Sequence, residues 1–424
     1  MKACLLAIGS EMLTPERIDT NSLFATGRLN EIGYDVRLKA VVGDDLDDLA
    51  RAFSWALEWA DLIVATGGLG PTSDDLTRDA VARVLQLPFD VDEGVLERIR
   101  QRFERRGRPM PANNRRQAMV PRGAALLDNP GGTAPGLWLR SGTRIIVLLP
   151  GPPREMRPML DAVVRDRLAP DADGRLFRRV VRLTGLAESE VDGRAEPLFI
   201  RWASRPSPIR TTILAVKGQT ELHLAVRTGD AASAHAALDA AVGELQAIFG
   251  ASIFSTDDRN LETVVGALLR ERGLTIAVAE SCTGGLLASR LTDVPGSSAY
   301  VDRGVVCYSN AAKVDMLGVP SELIERHGAV SEPVAVAMAT GIRSRARTSI
   351  GVGVTGIAGP GGGSAEKPVG TVCICAVIGT AERVRTFQFV GEREMVKVQA
   401  SQAALNLVRL LVLGEDVHEW TERR

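Results

Sequence analysis

Histidine is nearly missing from this 424-residue chain, which has four, and aromatic residues make up only 4%. No Cys-x-x-Cys pair occurs, and so few imidazoles argue against a zinc centre. Any metal would sit on oxygen ligands, the choice of hard cations. The five cysteines are odd in number and scattered. They argue against a disulfide framework and for a reducing compartment, so a cytoplasmic protein is expected. Charge of either sign is balanced, 51 basic against 52 acidic residues. A net charge of -1 leaves no basic surplus for general nucleic-acid binding, and none is expected. Local basic patches remain from Arg98 to Arg108 and at Arg115-Arg116. No stretch reaches the roughly 18 apolar residues of a membrane span. The apolar run entered at Ala3 is too short for a signal peptide.

What is present is an ordinary globular composition, 45% hydrophobic and 24% charged. The length predicts two or three domains. Residues 1 to about 172 alternate strand and helix patterns, which predicts an α/β layer with a mostly parallel sheet. Strands are expected at Ala3 to Ile8, Asp35 to Val42, Leu62 to Ala65 and Arg144 to Leu149. Helices are expected at Asn21 to Glu31, Leu46 to Trp59, Leu76 to Leu85, Val95 to Arg105 and Pro153 to Arg167. Residues 175–252 read β-α-β-β-α, with a hairpin about Lys217-Gly218-Gln219, which suits a small α+β connector. The segment Phe254 to Asp258 reads as a linker into a last α/β domain, residues 258–418. Cys373 and Cys375 alternate in a strand pattern there and are expected to pack on one side, and Arg393 to Leu413 reads as a long amphipathic helix.

That last domain is organised around Ala279-Glu280-Ser281-Cys282-Thr283-Gly284-Gly285. An apolar, β-branched run leads in and a helical pattern leads out, which predicts strand, sharp turn and helix. Such a turn lifts a hydroxyl to the end of a sheet, at the positive end of a helix dipole that favours anions and developing oxyanions. Ser281 and Thr283 would also serve as plain N-caps. A base is needed if Ser281 is a nucleophile, and His327 is the only histidine in the body of this domain, which argues against a Ser-His-Asp triad. Lysine is the alternative, competent as a base when burial lowers its pKa. Lys313, five positions past Tyr308, follows another strand pattern, so Ser281, Lys313 and Tyr308 are expected to meet at one sheet edge. The strand Ile350 to Val354 runs through Thr355 into Gly356-Ile357-Ala358-Gly359-Pro360-Gly361-Gly362-Gly363, a loop rich enough in glycine to cradle phosphate.

In the first domain, three strand ends carry Gly9-Ser10-Glu11, Gly43-Asp44-Asp45 and Thr66-Gly67-Gly68 through Asp74-Asp75. Glycines there let a phosphate approach the backbone, and carboxylates beside a phosphate usually share a divalent cation. Asp44, Asp74 and Asp75 are therefore the candidate metal ligands, each of which could instead cap a helix.

The stretch from Gly67-Gly68 to Asp74-Asp75-Leu76-Thr77 resembles the signature of the molybdopterin-binding fold. Asn113-Asn114-Arg115-Arg116, Asn129-Pro130-Gly131-Gly132-Thr133 and Leu149-Pro150-Gly151-Pro152-Pro153-Arg154-Glu155 narrow the resemblance to the first domain of the CinA family. Met12 and Asp79 stand where that pattern has leucine and glutamate. Glu280 to Gly285, Tyr308 to Lys313, Val330-Ser331-Glu332 and Thr355 to Pro360 are similar to that family's C-terminal domain, and residues 175–252 to its KH-like middle domain. The resemblance implies a nicotinamide-mononucleotide amidase in the last domain, with Ser281, Tyr308, Lys313 and Thr355 catalytic and no cofactor. Thr283, Gly284, Asn310, Gly356, Gly359, Gly361 and Arg393 are then the expected substrate contacts, the last three for the 5′-phosphate. It implies a metal-dependent ADP-ribose pyrophosphatase in the first domain, with Gly67, Gly68 and Asn114 on the substrate, and a homodimer overall. Two other readings stay open: a competence or damage accessory protein without catalysis, and a molybdopterin binder.

Overall fold

The computed structural model describes residues 1–105, 107–168, 174–216 and 218–415. It divides into two compact units, Met1–Phe177 with Arg227–Ala234, and Arg178–Val226 with the described residues from His235 onward. The expected ends of the first and last domains, at 172 and 418, fall outside the described residues, as does Lys217 of the hairpin.

The first unit carries strands β1 (Lys2–Ile8), β2 (Asp35–Val42), β3 (Leu62–Thr66), β4 (Phe89–Val91), β5 (Met119–Pro121), β6 (Ala125–Leu127), β7 (Gly136–Ser141) and β8 (Arg144–Leu149). Its helices are α1 (Thr20–Glu31), α2 (Leu46–Trp59), α3 (Thr77–Leu85), α4 (Glu93–Glu104) and α5 (Pro153–Val163). The main sheet runs β2-β1-β3-β8-β7-β6, parallel through β8 and antiparallel beyond it. Alternate residues of β1, Cys4, Leu6 and Ile8 against Ala3 and Leu5, enter two different apolar clusters, so helices cover both faces. The helix expected to reach Arg167 stays α-helical only to Val163 and widens into a π-helical turn over Val164–Leu168.

The second unit begins with β9 (Arg175–Leu183), α6 (Glu188–Ala203), β10 (Ile209–Val216), β11 (Gln219–Thr228), α7 (Ala231–Phe249) and β12 (Ile253–Ser255); the start of β9, the end of β11 and the start of α7 lie in the first. These strands form a sheet β10-β11-β9-β12. Part of the expected linker is thus its fourth strand, with Ile253 opposite Leu183. The remainder is α8 (Leu261–Glu271), β13 (Ile276–Glu280), α9 (Leu286–Thr292), β14 (Val301–Val306), α10 (Asn310–Leu317), α11 (Ser321–His327), α12 (Glu332–Ala346), β15 (Ile350–Gly356), β16 (Thr371–Ile378), β17 (Ala381–Gln388) and α13 (Arg393–Leu413). Its sheet runs β14-β13-β15-β16-β17, with β14, β13 and β15 parallel and the other pairs antiparallel. Cys373 and Cys375 pack in one cluster, on the same side of β16. Residues 400–410 of α13 are buried all round, so the helix expected to be amphipathic is central for most of its length. Arg409 is buried within it, donates to the carbonyls of Ala251 and Ile253, and has its pKa lowered to about 10 by burial. Among the described residues no helix is long and apolar enough to cross a membrane.

Candidate active site

Three parallel strands end together in the second unit. Glu280 of β13 pairs with Val306 of β14 on one side and Val354 of β15 on the other. Neighbouring strands lie about 4.8 Å apart, so the residues just past these ends are neighbours in space. They are Ser281 and Cys307-Tyr308, beside Thr355 at the end of β15, gathered at the carboxyl edge where α/β sheets bind ligands. The register therefore brings together residues 26 to 74 positions apart in the chain. Ser281 N–H donates to the Val354 carbonyl at 2.9 Å, and Cys307 N–H to that of Glu280 at 2.8 Å, which pins the turn to both neighbours.

Lys313 is 1% exposed on α10, and its Nζ lies 3.1 Å from Ser281 Oγ. Nζ also donates to the carbonyls of Cys307, at 3.0 Å, and Tyr308, at 3.2 Å. Burial lowers its pKa from the usual lysine value, against smaller opposing effects of Cys307, Cys282 and Tyr308. No carboxylate pairs with it among the described residues. A neutral amine has two N–H groups and one lone pair. With both carbonyls accepting, the lone pair is left for the Ser281 hydroxyl, which is the arrangement of a general base. The adjacent Cys282 does not compete as nucleophile, since burial pushes its thiol up to about 12.

The turn departs from expectation in two ways. Neither Ser281 nor Thr283 caps α9; Gly285 does so in the left-handed region, φ 93°. The positive end of this seven-residue helix is occupied by Glu280, 1% exposed, whose carboxylate accepts from the N–H groups of Gly285, Leu287 and Ala288 at 2.8–3.1 Å. The helix end is therefore closed to an incoming anion. Gly284 N–H, expected to receive an oxyanion, donates instead to the Ser281 carbonyl at 3.2 Å. The N–H groups of Cys282 and Thr283 have no acceptor among the described residues, which shifts the candidate oxyanion donors one position back. The Thr283 hydroxyl is also buried without a partner. Sequence reasoning missed Glu280 as the support of this turn; an acid directly before the turn residues was the available signal.

Tyr308 is 61% exposed at the rim, and its hydroxyl accepts from Arg393 Nη2 at 3.1 Å. Arg393 Nη1 donates to the Gly359 carbonyl at 2.8 Å, so one guanidinium joins the tyrosine to the glycine-rich loop. Thr355 is buried beside Ser281, with its hydroxyl donating to the Ala329 carbonyl at 2.8 Å. Asn310 opens α10 next to Ser309, whose hydroxyl caps that helix. Gly356 is packed against Val372, while Gly361 faces open space.

A cleft of about 390 Å³ in the first unit is lined by Gly67, Gly68, Asp44, Asp74 and Asp75, as expected, and also by Glu11, Gln117 and Glu155. Gly67 has φ 107° and sits so close to the Ile8 carbonyl that a Cβ would lie 2.1 Å from its oxygen. The loop after β3 is rigid: buried Arg78 donates to the carbonyls of Leu69 and Gly70, both at 3.1 Å, and its pKa is lowered to about 10 by burial. The N–H groups of Gly68 and Leu69 have no acceptor among the described residues. Asn114 is buried and donates to Gln117 at 3.0 Å, and Gln117 is the one on the cleft wall. Asp75 accepts from the N–H groups of Gly70 and Thr72, and Asp44 from that of Ser10. Among the described residues no three His, Cys, Asp or Glu side chains gather as a metal-ligand set. Asp44 and Asp75 thus hold loops in shape, and the shorter Asp79 pairs with Arg116 at 3.0 Å.

Fold and site define a two-unit α/β protein, with a glycine- and acid-lined cleft in one unit and a buried Ser–Lys pair in the other. Residues 4–170 match the family described as "Probable molybdopterin binding domain", and residues 258–412 match "CinA C-terminal domain". A "Putative competence-damage inducible protein" of Symbiobacterium thermophilum is 44% identical across 98% of this chain and 99% of its own length. A "CinA-like protein" of Koribacter versatilis is 45% identical across 96% and 99%. A crystal structure of CinA from Thermoplasma acidophilum, described as having unknown function, is 36% identical over 39% of this chain and 98% of that one, with a TM-score of 0.37. The chain belongs to the CinA family.

Proposed function

We propose that the second unit hydrolyses the carboxamide of nicotinamide mononucleotide, giving nicotinate mononucleotide and ammonia. The observation that carries this reading is the buried Lys313 amine 3.1 Å from Ser281 Oγ. Lys313 Nζ takes the Ser281 proton as Oγ bonds to the carboxamide carbon. The carbonyl oxygen becomes an oxyanion, received by the N–H groups of Cys282 and Thr283. Collapse breaks the C–N bond, and the departing nitrogen takes a proton from the Lys313 ammonium, relayed by Tyr308. The Tyr308 oxygen accepts from Arg393 and so keeps its own O–H for donation. Water then attacks the ester with Lys313 again as base, releasing the acid and restoring Ser281. Thr355 positions the segment before α12 through Ala329. The test is ammonia release from nicotinamide mononucleotide by the full chain and by its Ser281→Ala variant. Release that depends on Ser281 is expected; near-normal release by the variant ends the proposal.

For the first unit we propose a nucleotide-diphosphate site, with ADP-ribose as the substrate to try. The free N–H groups of Gly68 and Leu69, in a cleft of about 390 Å³, support it. A divalent cation supplies Lewis acidity in pyrophosphate hydrolysis. Asp44, Asp74 and Asp75 do not form a preformed seat for one, so the residues support binding more directly than cleavage. AMP release from ADP-ribose with added magnesium or manganese is the measurement. Pterin fluorescence in the purified protein, without AMP release, would favour a molybdopterin site instead.

A further inference from the structure

The residues expected to hold the substrate's phosphate are already committed. Arg393 has one end of its guanidinium on the Gly359 carbonyl and the other on the Tyr308 hydroxyl. Lys367, beyond the same loop, donates to the His327 carbonyl at 2.9 Å. One turn further along α13, on the same face as Arg393, is Lys397. It is half-buried, and its ammonium makes no hydrogen bond or ion pair among the described residues. The ammonium itself stays in reach of solvent and is open to an incoming anionic group. Its position is specific: Lys397 Nζ lies 3.6 Å from where a Cβ of Gly284 would stand, directly over the turn that carries Ser281. The bond from Gly284 N–H to the Ser281 carbonyl closes that turn, which brings the two residues within about 7 Å. A bare amide at Ser281 is too short to touch Lys397 as well; a ribose phosphate attached to it is not. The nearby carboxylate, Glu280, is spent on the end of α9, so Arg393 and Lys397 leave the opening positive.

We propose that Lys397 receives the substrate's phosphate and sets the preference for a mononucleotide over its nucleoside, while Arg393 straps Tyr308 to the glycine-rich loop. This rests on the amidase reading of the same site. The test compares wild type, Lys397→Met and Lys397→Arg, as full chains, on nicotinamide mononucleotide and on nicotinamide riboside, which lacks the phosphate. Loss of one charge-assisted contact should raise KM for the mononucleotide about 10–100-fold in Lys397→Met, with kcat nearly kept. The riboside should be unaffected, and Lys397→Arg should restore most of the difference. An unchanged KM for the mononucleotide overturns the proposal, and so does an equal loss on both substrates. Calorimetric binding of ribose 5-phosphate and of the mononucleotide, in a Ser281→Ala background with and without Lys397→Met, separates the two claims. If binding depends on Lys397 but no chain releases ammonia, the phosphate site stands and the amidase reading falls. If ammonia is released and neither binding nor KM depends on Lys397, the reverse holds.

Discussion

The two strand-end sites differ in what holds their polar side chains. In the first unit, acids at successive strand ends looked like a metal site, yet Asp75 and Asp44 hold backbone N–H groups of their own loops. In the second, Ser281, Lys313 and Tyr308 also follow strand ends, and two of the three are in contact inside the protein. The difference lies in what else each residue type can do. An aspartate beside a glycine-rich turn has ready structural work as a cap. A lysine has almost none in a core, because burying its charge is opposed by several kcal/mol of desolvation. A lysine at 1% exposure, with only neutral acceptors around it, points to chemistry; an aspartate with two backbone donors has a structural duty that accounts for it.

That contrast can be broken in several ways. Lys313→Met should lower kcat for ammonia release by roughly 10²–10⁴-fold, the usual worth of a positioned general base. The measurement is initial rate on saturating mononucleotide, with circular dichroism to show that the fold persists. Arg393→Ala should reduce kcat/KM by up to roughly 100-fold through misplacement of Tyr308 and the loop. Lysine at position 393 should not rescue it, lacking the fork that reaches Gly359 and Tyr308 together. In the pH profile, log kcat/KM should climb as Lys313 loses its proton and level off with a midpoint below the lysine value of 10.5. The sign for stability follows: the folded state disfavours the ammonium, so the unfolded chain binds more protons between the lowered value and 10.5. Stability therefore rises with pH across that window, and Lys313→Met removes the rise. Glu280→Ala should cost about 2–3 kcal/mol, since it strands buried N–H donors at the start of α9; a denaturant titration reads it. The smallest effect belongs to the first unit. Asp75→Ala should cost about 1 kcal/mol, the worth of a cap, and leave ammonia release unchanged.

Much of the architecture was readable from the chain. Apolar runs with turn residues at their ends place β1, β2, β3 and β8 to within a residue or two, because a parallel sheet covered on both faces needs such runs. The short strands β4, β5 and β6 were not readable: three residues carry too little pattern. Helix α12 was hidden for another reason. Val334, Val336 and Met338 alternate like a strand, while the buried set Val334, Ala335, Met338, Ala339 and Ile342 has helical spacing. At the site, residue identities were legible and their exact duties were not. Sequence shows that Thr283 and Gly284 follow Ser281; only the backbone shows that Gly284 N–H is taken and that those of Cys282 and Thr283 are free. Likewise Arg393 is visible as a cation, but not that its guanidinium is already shared. Lys397 could have been noticed four residues after Arg393; its missing partner could not.

The central claim is that Ser281 and Lys313 act as one chemical unit, and a double-mutant cycle tests it most directly. Ammonia release from nicotinamide mononucleotide would be compared for Ser281→Ala, Lys313→Met and the double variant. If the amine serves only to activate the hydroxyl, the double variant should be no slower than Ser281→Ala alone. Losses that multiply, with the double variant slower by the product of the two single effects, would contradict it.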